Sequence, residues 1–330
     1  MSSFAIGVDL GGTNLRIAAV SEDGRVLEKM ATGTEVARGR DSVLDEMCGA
    51  ISRLTAEVGS GKRLVGIGIG VPGIIDLETG MLYESPNLPG WHDYPVRDEI
   101  ERRLTTRVVL ENDANCAALG EAWMGAARGF PDMCMITLGT GVGGGIVLGG
   151  RIWHGMTGMA GELGHITVVP DGVPCGCGNR GCIEQYASAS AVERMAREVL
   201  GEARGKTGKA QRTARAVFEQ AQHGDKQAQG IFDTVGRMLG VLIGDLVNAL
   251  NLPMYVIGGG VAGAWEAFSP AMFEEVKKRS FVYAATAPEG GKTRRRTEIR
   301  RAELGSDAGL IGAARLPMLP AEYEQHMQGR

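Results

Sequence analysis

An α/β fold duplicated over two domains is what this sequence predicts, and three observations predict it. An apolar run from Phe4 to Val8 enters Asp9-Leu10-Gly11-Gly12-Thr13-Asn14 and a second apolar run from Leu15 to Val20. This reads as strand, glycine turn, strand. The order returns about one domain later: Met133 to Leu138, the turn Gly139-Thr140-Gly141-Val142-Gly143-Gly144-Gly145, then Ile146 to Leu148. Two such copies, each with a threonine in the turn, form a weak internal repeat and predict a duplicated fold whose turns face each other. Third, apolar residues at helical spacing alternate with strand-length runs over 330 residues, long enough for two domains.

In chain order, Glu22-Asp23-Gly24-Arg25 turns the chain into a strand over Val26 to Met30. Val43, Met47, Ile51, Leu54 and Val58 recur at helical spacing behind Asp41 or Ser42 as cap, and Gly59 to Lys62 ends that helix. Leu64 to Val71 is a buried strand with glycines at alternate positions, so something packs close to one face; it stops at Pro72-Gly73. A loop follows through Ser85-Pro86-Asn87-Leu88-Pro89-Gly90-Trp91. Val96, Ile100 and Leu104 mark a short helix, and Val108 to Leu110 a strand that delivers Glu111-Asn112-Asp113-Ala114-Asn115 at its C-terminal end. That is where open α/β sheets meet ligands. A helix from Ala114 to about Ala127 carries the crossing between domains. Further helices are expected near 189–200, 210–223 and 227–250, the last carried by Ile231, Val235, Leu239, Leu242, Leu246 and Leu250. Met254 to Ile257 is a strand ending in Gly258-Gly259-Gly260, with a helix from Trp265. The basic stretch from Thr293 to Arg301 reads as a solvated edge strand rather than a nucleic-acid patch, since charge on an edge blocks aggregation. A last helix spans Ser306 to Ala314. The expected division is 1–115, with 306–330 packing back on it, and 116–305.

Net charge is −4 and the composition is ordinary, so neither nucleic acid nor anionic lipid is favoured as a partner. The apolar runs are too short to span a membrane and no signal-like core precedes Phe4, so a cytoplasmic protein is expected. Six cysteines, three of them in one loop, do not resemble a disulfide framework.

That loop, from Glu162 to Glu184, holds His165, Cys175, Cys177 and Cys182, a one-His, three-Cys set suited to tetrahedral zinc. Four protein ligands leave no place for a catalytic water, so such an ion is structural. The spacing departs from paired C-x-x-C fingers, and reduced thiols in a glycine-rich loop are the plainer alternative. Glu162 and Glu184 bracket the set, placing two acceptors to face one polar ligand.

Gly139 to Gly144 satisfies G-x-G-x-x-G, but Ile146-Val147-Leu148 reads as strand where a dinucleotide fingerprint would open a helix. Gly205-Lys206-Thr207 and Gly291-Lys292-Thr293 both lack the earlier glycine of a phosphate-binding P-loop. What remains is two hairpin turns whose backbone N–H groups, with the hydroxyls of Thr13 and Thr140, can hold phosphate oxygens. Asp9 then lies near the metal ion bridging those phosphates. Each turn alone is equally a tight hairpin; two of them, with Gly258-Gly259-Gly260 at a third strand end, favour a nucleotide site. Asp113 can orient a substrate hydroxyl and take its proton, or cap the following helix. Asn112, Glu162 and Glu184 offer the mixture of donors and acceptors that a polyol needs. His165 is either a metal ligand only, or one whose second nitrogen is a fixed donor.

Taken together, Asp9-Leu-Gly-Gly-Thr-Asn, Glu111-Asn-Asp-Ala-Asn, Leu138-Gly-Thr-Gly-Val-Gly-Gly-Gly, Gly161-Glu-Leu-Gly-His and Cys175-Gly-Cys-Gly-Asn-Arg-Gly-Cys-Ile-Glu resemble the ROK family of bacterial sugar kinases and sugar-responsive repressors. The resemblance spans nearly the whole chain. It implies the two-lobed actin and hexokinase-like (ribonuclease H-like) superfold, with ATP, Mg2+ and sugar in the cleft and a structural Zn2+. Within the family, Cys182-Ile-Glu-Gln-Tyr-Ala-Ser is most similar to the glucokinases, which implies transfer to the 6-hydroxyl of glucose. A kinase for another hexose, such as N-acetylmannosamine or fructose, and a non-catalytic sugar sensor are the alternatives; an intact Asp113 argues against the sensor. By resemblance the base is Asp113 and the sugar contacts are Asn112, Glu162, His165 and Glu184, with Gly73 and Asn87 on bordering loops. The phosphate loops are Gly11, Gly12 and Thr13 and Gly139, Thr140 and Gly141, and the adenosine loop lies near Gly259. A homodimer or homotetramer is expected. Family repressors carry a DNA-binding helix-turn-helix ahead of the first strand; here Met1 to Ser3 precede it, which argues against a DNA-binding role.

Overall fold

The alternation of short β-branched runs with helical-period runs becomes twelve strands and ten helices in the computed structural model, which describes residues 2–85, 87–201 and 213–319. The chain forms β1 (Ser3–Leu10), β2 (Asn14–Ser21), β3 (Val26–Gly33), α1 (Arg40–Val58), β4 (Arg63–Val71), β5 (Ile74–Asp76), β6 (Met81–Glu84), α2 (Val96–Leu104), β7 (Val108–Asn112) and α3 (Asp113–Met124). β8 (Met133–Leu138), β9 (Val142–Leu148) and β10 (Arg151–Ile152) follow. The rest is mainly helical: α4 (Glu184–Ala187), α5 (Ala189–Leu200), α6 (Ala214–Gln222), α7 (Lys226–Leu250), β11 (Met254–Gly258), α8 (Trp265–Arg279), α9 (Phe281–Thr286), β12 (Glu298–Arg301) and α10 (Ala308–Arg315).

Two units divide the chain. The first takes residues up to Pro131, Gly145–Gly161 and those from Glu303; the second takes Asp132–Gly144 and Glu162–Ala302. The boundary expected at 115 falls inside α3. That helix stays with the first unit because it packs on α10 and β4 there. Residues 210–212 of the helix expected over 210–223, and 320–330 of the C-terminal segment, lie outside the described residues.

The first unit is built on the sheet β3-β2-β1-β4-β7. β1 runs antiparallel to β2 and parallel to β4, and β4 parallel to β7. Side chains alternate across a strand, and β1 uses this by size. Phe4, Ile6 and Val8 join Ile67, Ile69 and the buried stripe of α1 (Val43, Leu44, Met47, Ile51, Leu54) in one core. Each such side chain contributes about 1.5–3 kcal/mol on burial. The opposite face carries Ala5 and Gly7, and on it lies α10. A Cβ at Gly68 would stand 1.9 Å from the Ala313 carbonyl oxygen, and one at Gly7 2.1 Å from that of Leu310. Gly7 and Gly68 are therefore the bed of α10, while Gly66 of β4 meets Pro317 just beyond that helix and Gly70 meets Cys116 of α3. Register places Asp9, Gly70 and Glu111 in one row across β1, β4 and β7 near their C-terminal ends.

The second unit is built on β9-β8-β11-β12, with β8, β11 and β12 parallel. The later part of β9 and β10, which pairs with it antiparallel, fall in the first unit. α7 starts at Asp225, whose carboxylate accepts from Gln227 N and Ala228 N at 2.9 and 3.1 Å, and ends at Asn251 in the left-handed conformation. β12, the observed part of the basic stretch, lies at the sheet edge.

Candidate active site

In the first unit the strand β7 turns directly into α3. Asn112 is extended (φ −65°, ψ 144°), and its Oδ1 accepts from Ala114 N at 2.9 Å and Asn115 N at 3.3 Å. The cap of this helix is therefore Asn112, not Asp113. Asp113 is the first helical residue, exposed, with Oδ1 taking the adjacent Ala114 N–H at 2.9 Å. A helix N-terminus is where the macrodipole favours negative charge. Since the Asn112 oxygen serves the cap, what Asn112 offers a sugar hydroxyl is its amide N–H.

The first glycine turn closes through Gly11 N donating to Asn14 O at 2.9 Å. A Cβ on Gly12 would lie 2.4 Å from the Asn87 carbonyl oxygen, so this turn and the loop bearing Asn87 are in close contact. That loop is pinned by Trp91, buried and edge-on to Tyr94 at 6.1 Å between ring centroids. The Arg40 guanidinium lies 3.7 Å over the Tyr94 ring and donates to Gly90 O at 3.1 Å. Gly73 has φ +117°, with a Cβ there 2.1 Å from Glu84 O, which ties it to the β5–β6 hairpin, an element for which sequence reasoning gave no reading. Asp9 pairs with Arg16, whose Nη1 also donates to Ser306 O at 2.6 Å. Sequence reasoning missed Arg16, although the β1–β2 register that sets Asp9 opposite Arg16 follows from a short turn between them. It also missed Glu111 and His154, whose side chains meet at 2.7 Å.

In the second unit, Gly139 N donates to Gly141 O at 2.9 Å, and the start of α5 holds the turn from below. Ala189 N donates to Gly139 O at 2.8 Å and Ser190 Oγ to Thr140 O at 2.9 Å. Gly259 (φ +84°) crosses the end of β8, where a Cβ would come within 2.5–2.7 Å of Leu138 backbone atoms. The second glycine turn and the loop at Gly259, expected to meet phosphate and adenosine, are thus neighbours. Glu184 reaches the same turn: its Oε2 accepts from Val142 N at 3.0 Å, and a Cβ on Gly141 would be 2.4 Å from it. β9 begins at Val142, so Gly143 to Gly145 lie in the strand rather than the turn. A Cβ on Gly145 would meet the Ala118 methyl of α3 at 2.7 Å.

His165, Cys175, Cys177 and Cys182 present one ligand atom each within 4.8 Å of one another. Cys177 and Cys182 sulfurs are 3.8 Å apart, and Cys175 Sγ is 3.7 Å from His165 Nδ1. A tetrahedral zinc with Zn–S of about 2.3 Å sets sulfurs about 3.8 Å apart, so these residues fit the ion. Two amides donate to the sulfurs, Asn179 Nδ2 to Cys182 at 3.5 Å and Gln185 Nε2 to Cys175 at 3.7 Å. Such second-layer donors suit thiolates. The Nδ1 side of His165 faces the cysteines, and Nε2 is 4.0 Å from Glu162 Oε2. The Asn179 backbone N–H pulls the Cys177 thiol below its usual range, whereas burial pushes Cys182 up to about 12. Burial likewise pushes core Cys48 to about 11 and Cys134 to about 12, leaving both as inert thiols.

Two α/β units, an acid at the end of β1, a second at the head of α3 and a glycine turn in each unit define the actin and hexokinase-like superfold. The sequence pattern of the ROK family matches residues 5–318. The chain is 41% identical to a glucokinase of Halalkalibacterium halodurans over 93% of its own length and 92% of that protein's. Among solved structures it is similar to the ROK hexokinase of Thermus thermophilus, with a TM-score of 0.78 and 36% identity over 95% of this chain and 97% of the other. It is also similar to a ROK family glucokinase from Streptomyces griseus in complex with glucose and AMPPNP, at a TM-score of 0.74 and 35% identity over 95% and 99% of the two chains. The protein belongs to the ROK family.

Proposed function

We infer that this protein is an ATP-dependent hexose kinase that phosphorylates the 6-hydroxyl of glucose, with Asp113 as its base. The observation that carries the reading is the exposed Asp113 carboxylate at the head of α3, one residue after Asn112, whose oxygen caps the helix and whose amide N–H faces no cap duty. Phosphoryl transfer asks for alignment and charge neutralisation more than covalent chemistry. The sugar O6 attacks the γ-phosphorus, its proton passes to the Asp113 carboxylate, and the bond to the β-phosphate oxygen breaks to release ADP. Asn112, Glu162, His165 through Nε2, and Glu184 are the proposed sugar contacts, with Gly73 and Asn87 bordering.

The turns at Gly11–Thr13 and Gly139–Gly141 and the loop at Gly259 are the proposed nucleotide contacts. Mg2+ keeps most of its waters and takes one or two carboxylates besides phosphate oxygens, and Asp9 is the carboxylate proposed for it. Arg16 balances Asp9 when that ion is away. Zinc on His165, Cys175, Cys177 and Cys182 supplies no chemistry in this reading; it fixes the loop that presents Glu162 and Glu184. We place the reaction in the cytoplasm and expect a homodimer or homotetramer. No described helix is long and apolar enough to cross a membrane. A coupled ADP-release screen over hexoses and N-acetylhexosamines tests the activity. Glucose should give the highest kcat/KM, and no ADP release with any sugar would return the chain to the sensor class.

A further inference from the structure

Glu111 is the most enclosed acid near the reacting groups, with 1% of its side chain exposed. It is the next-to-last residue of β7, two residues before Asp113, and two of its three hydrogen-bond partners belong to the same junction. Oε1 accepts from Asn112 N at 2.9 Å and from Asn115 Nδ2 at 2.9 Å; Oε2 meets His154 Nε2 at 2.7 Å. Asn112 and Asn115 are the cap and the third residue of the helix that Asp113 opens. One carboxylate therefore grips the backbone just before the proposed base and a side chain just after it. β7 is the edge of its sheet, with no further strand beside it among the described residues.

His154 approaches from the segment after β10, which the chain follows through Gly155, Gly158 and Gly161 into Glu162. Its side chain is 14% exposed and walls a cavity of about 650 Å3, lined also by Ile75, Tyr83, Ile152, Trp153 and Met156. Burial disfavours the imidazolium, yet the charge of Glu111 and the hydrogen bond to it outweigh that and hold the pKa of His154 above its ordinary value. A filler for a hydrophobic gap would not need this arrangement. A buried carboxylate with three hydrogen-bond partners, one of them an imidazole from a distant segment, holds a backbone in one geometry.

We propose that Glu111, clamped by His154, is a positioning residue for phosphoryl transfer: it sets the β7–α3 junction so that Asp113 and Asn112 meet the sugar hydroxyl in the reactive geometry. The proposal rests on Asp113 being the base. A misplacement of about 1 Å costs a reaction of this kind about 10²-fold, without a comparable loss of ground-state binding.

The test uses the full chain with glucose and ATP and five variants. Glu111→Leu should lower kcat about 100-fold and move either KM less than about threefold. Glu111→Gln keeps an oxygen for Asn112 and Asn115 and an amide N–H for neutral His154, and should recover kcat to within about fivefold of wild type. Because both residues act through one carboxylate, Glu111→Leu combined with Asp113→Asn should be no slower than Asp113→Asn alone. His154→Gln is the second route should Glu111→Leu not fold; it should lower kcat about tenfold with KM unchanged. A crippled Asp113→Asn beside a Glu111→Leu, or failing that a His154→Gln, of wild-type kcat would overturn the proposal and leave the base standing. A fully active Asp113→Asn would overturn the base itself. Multiplicative losses in the double variant, or equal losses for Gln and Leu at 111, would reduce Glu111 to a structural residue.

Discussion

The two glycine turns look alike in sequence but are braced differently. In the first unit Gly12 abuts the backbone carbonyl of Asn87, in a loop pinned by buried Trp91, while the acids stand on regular elements: Asp9 at the end of β1 and Asp113 at the head of α3. In the second unit Gly141 abuts a side-chain carboxylate, Glu184, and the neighbouring sugar candidates Glu162 and His165 stand in a loop with few backbone ladder contacts and a Cys/His cluster. One half is organised by sheet and helix and should fail in its chemistry when a residue is lost. In the other the sugar candidates depend on an irregular loop with a Cys/His cluster, and losses there should show in binding.

The largest effect should come from the rigid half. Asp113→Asn is expected to lower turnover by about 10²–10⁴ with glucose affinity nearly unchanged; since Asn112 supplies the cap, thermal unfolding should not move. A matching loss of stability would mean that Asp113 holds the helix after all. In the other half, Cys177→Ala should release about one zinc per chain and weaken glucose binding about 10- to 100-fold, with ATP binding measured without sugar far less affected. Emission spectroscopy and calorimetry on one preparation decide it, and a zinc-free variant with normal glucose affinity would erase the contrast.

The two glycines sharpen it further. Gly12→Ala drives a methyl into a fixed carbonyl and should cost about 1–3 kcal/mol of stability, read from denaturant midpoints. Gly141→Ala meets a carboxylate that can swing, so the fold should hold while glucose KM rises several-fold. Equal destabilisation of both would show that the turns are braced alike. The smallest effect is in the pH dependence of the first unit. The folded-state pKa of His154 is raised, so its pairing with Glu111 stabilises fully below the ordinary value of 6.5 and is lost as pH rises through the raised value. The stability gap between wild type and His154→Gln should therefore be widest below pH 6.5 and narrow as pH is raised. A gap that widened with pH would reverse the sign of the pair.

Much of this was legible because it is local. The two strand–turn–strand copies, the stripe of α1 and the Cys/His loop are written at fixed short spacings, and the alternate glycines of β4 announced a close neighbour. They could not say that the neighbour was α10, from the other end of the chain. Gly143 to Gly145 read as turn because a glycine run looks the same whether it bends the chain or, as at Gly145, makes room for a helix. The boundary drawn at 115 followed the last strand of the first copy, whereas α3 belongs with α10 through packing that no window along the sequence contains. Arg16, His154 and Glu111 were missed for the related reason that their importance lies in partners brought together by register or by a later segment.

The bed of glycines beneath α10 also has a consequence during synthesis. The small-residue face of β1 and β4 has its cover in residues 308–315, so it stays open while all of 162–302 is being made. At about 5–20 residues per second the ribosome keeps that surface waiting for on the order of ten seconds or more. The first half of the protein to emerge is thus among the last to be finished, and chaperones have their longest opportunity at the sheet that carries Asp9 and leads into Asp113.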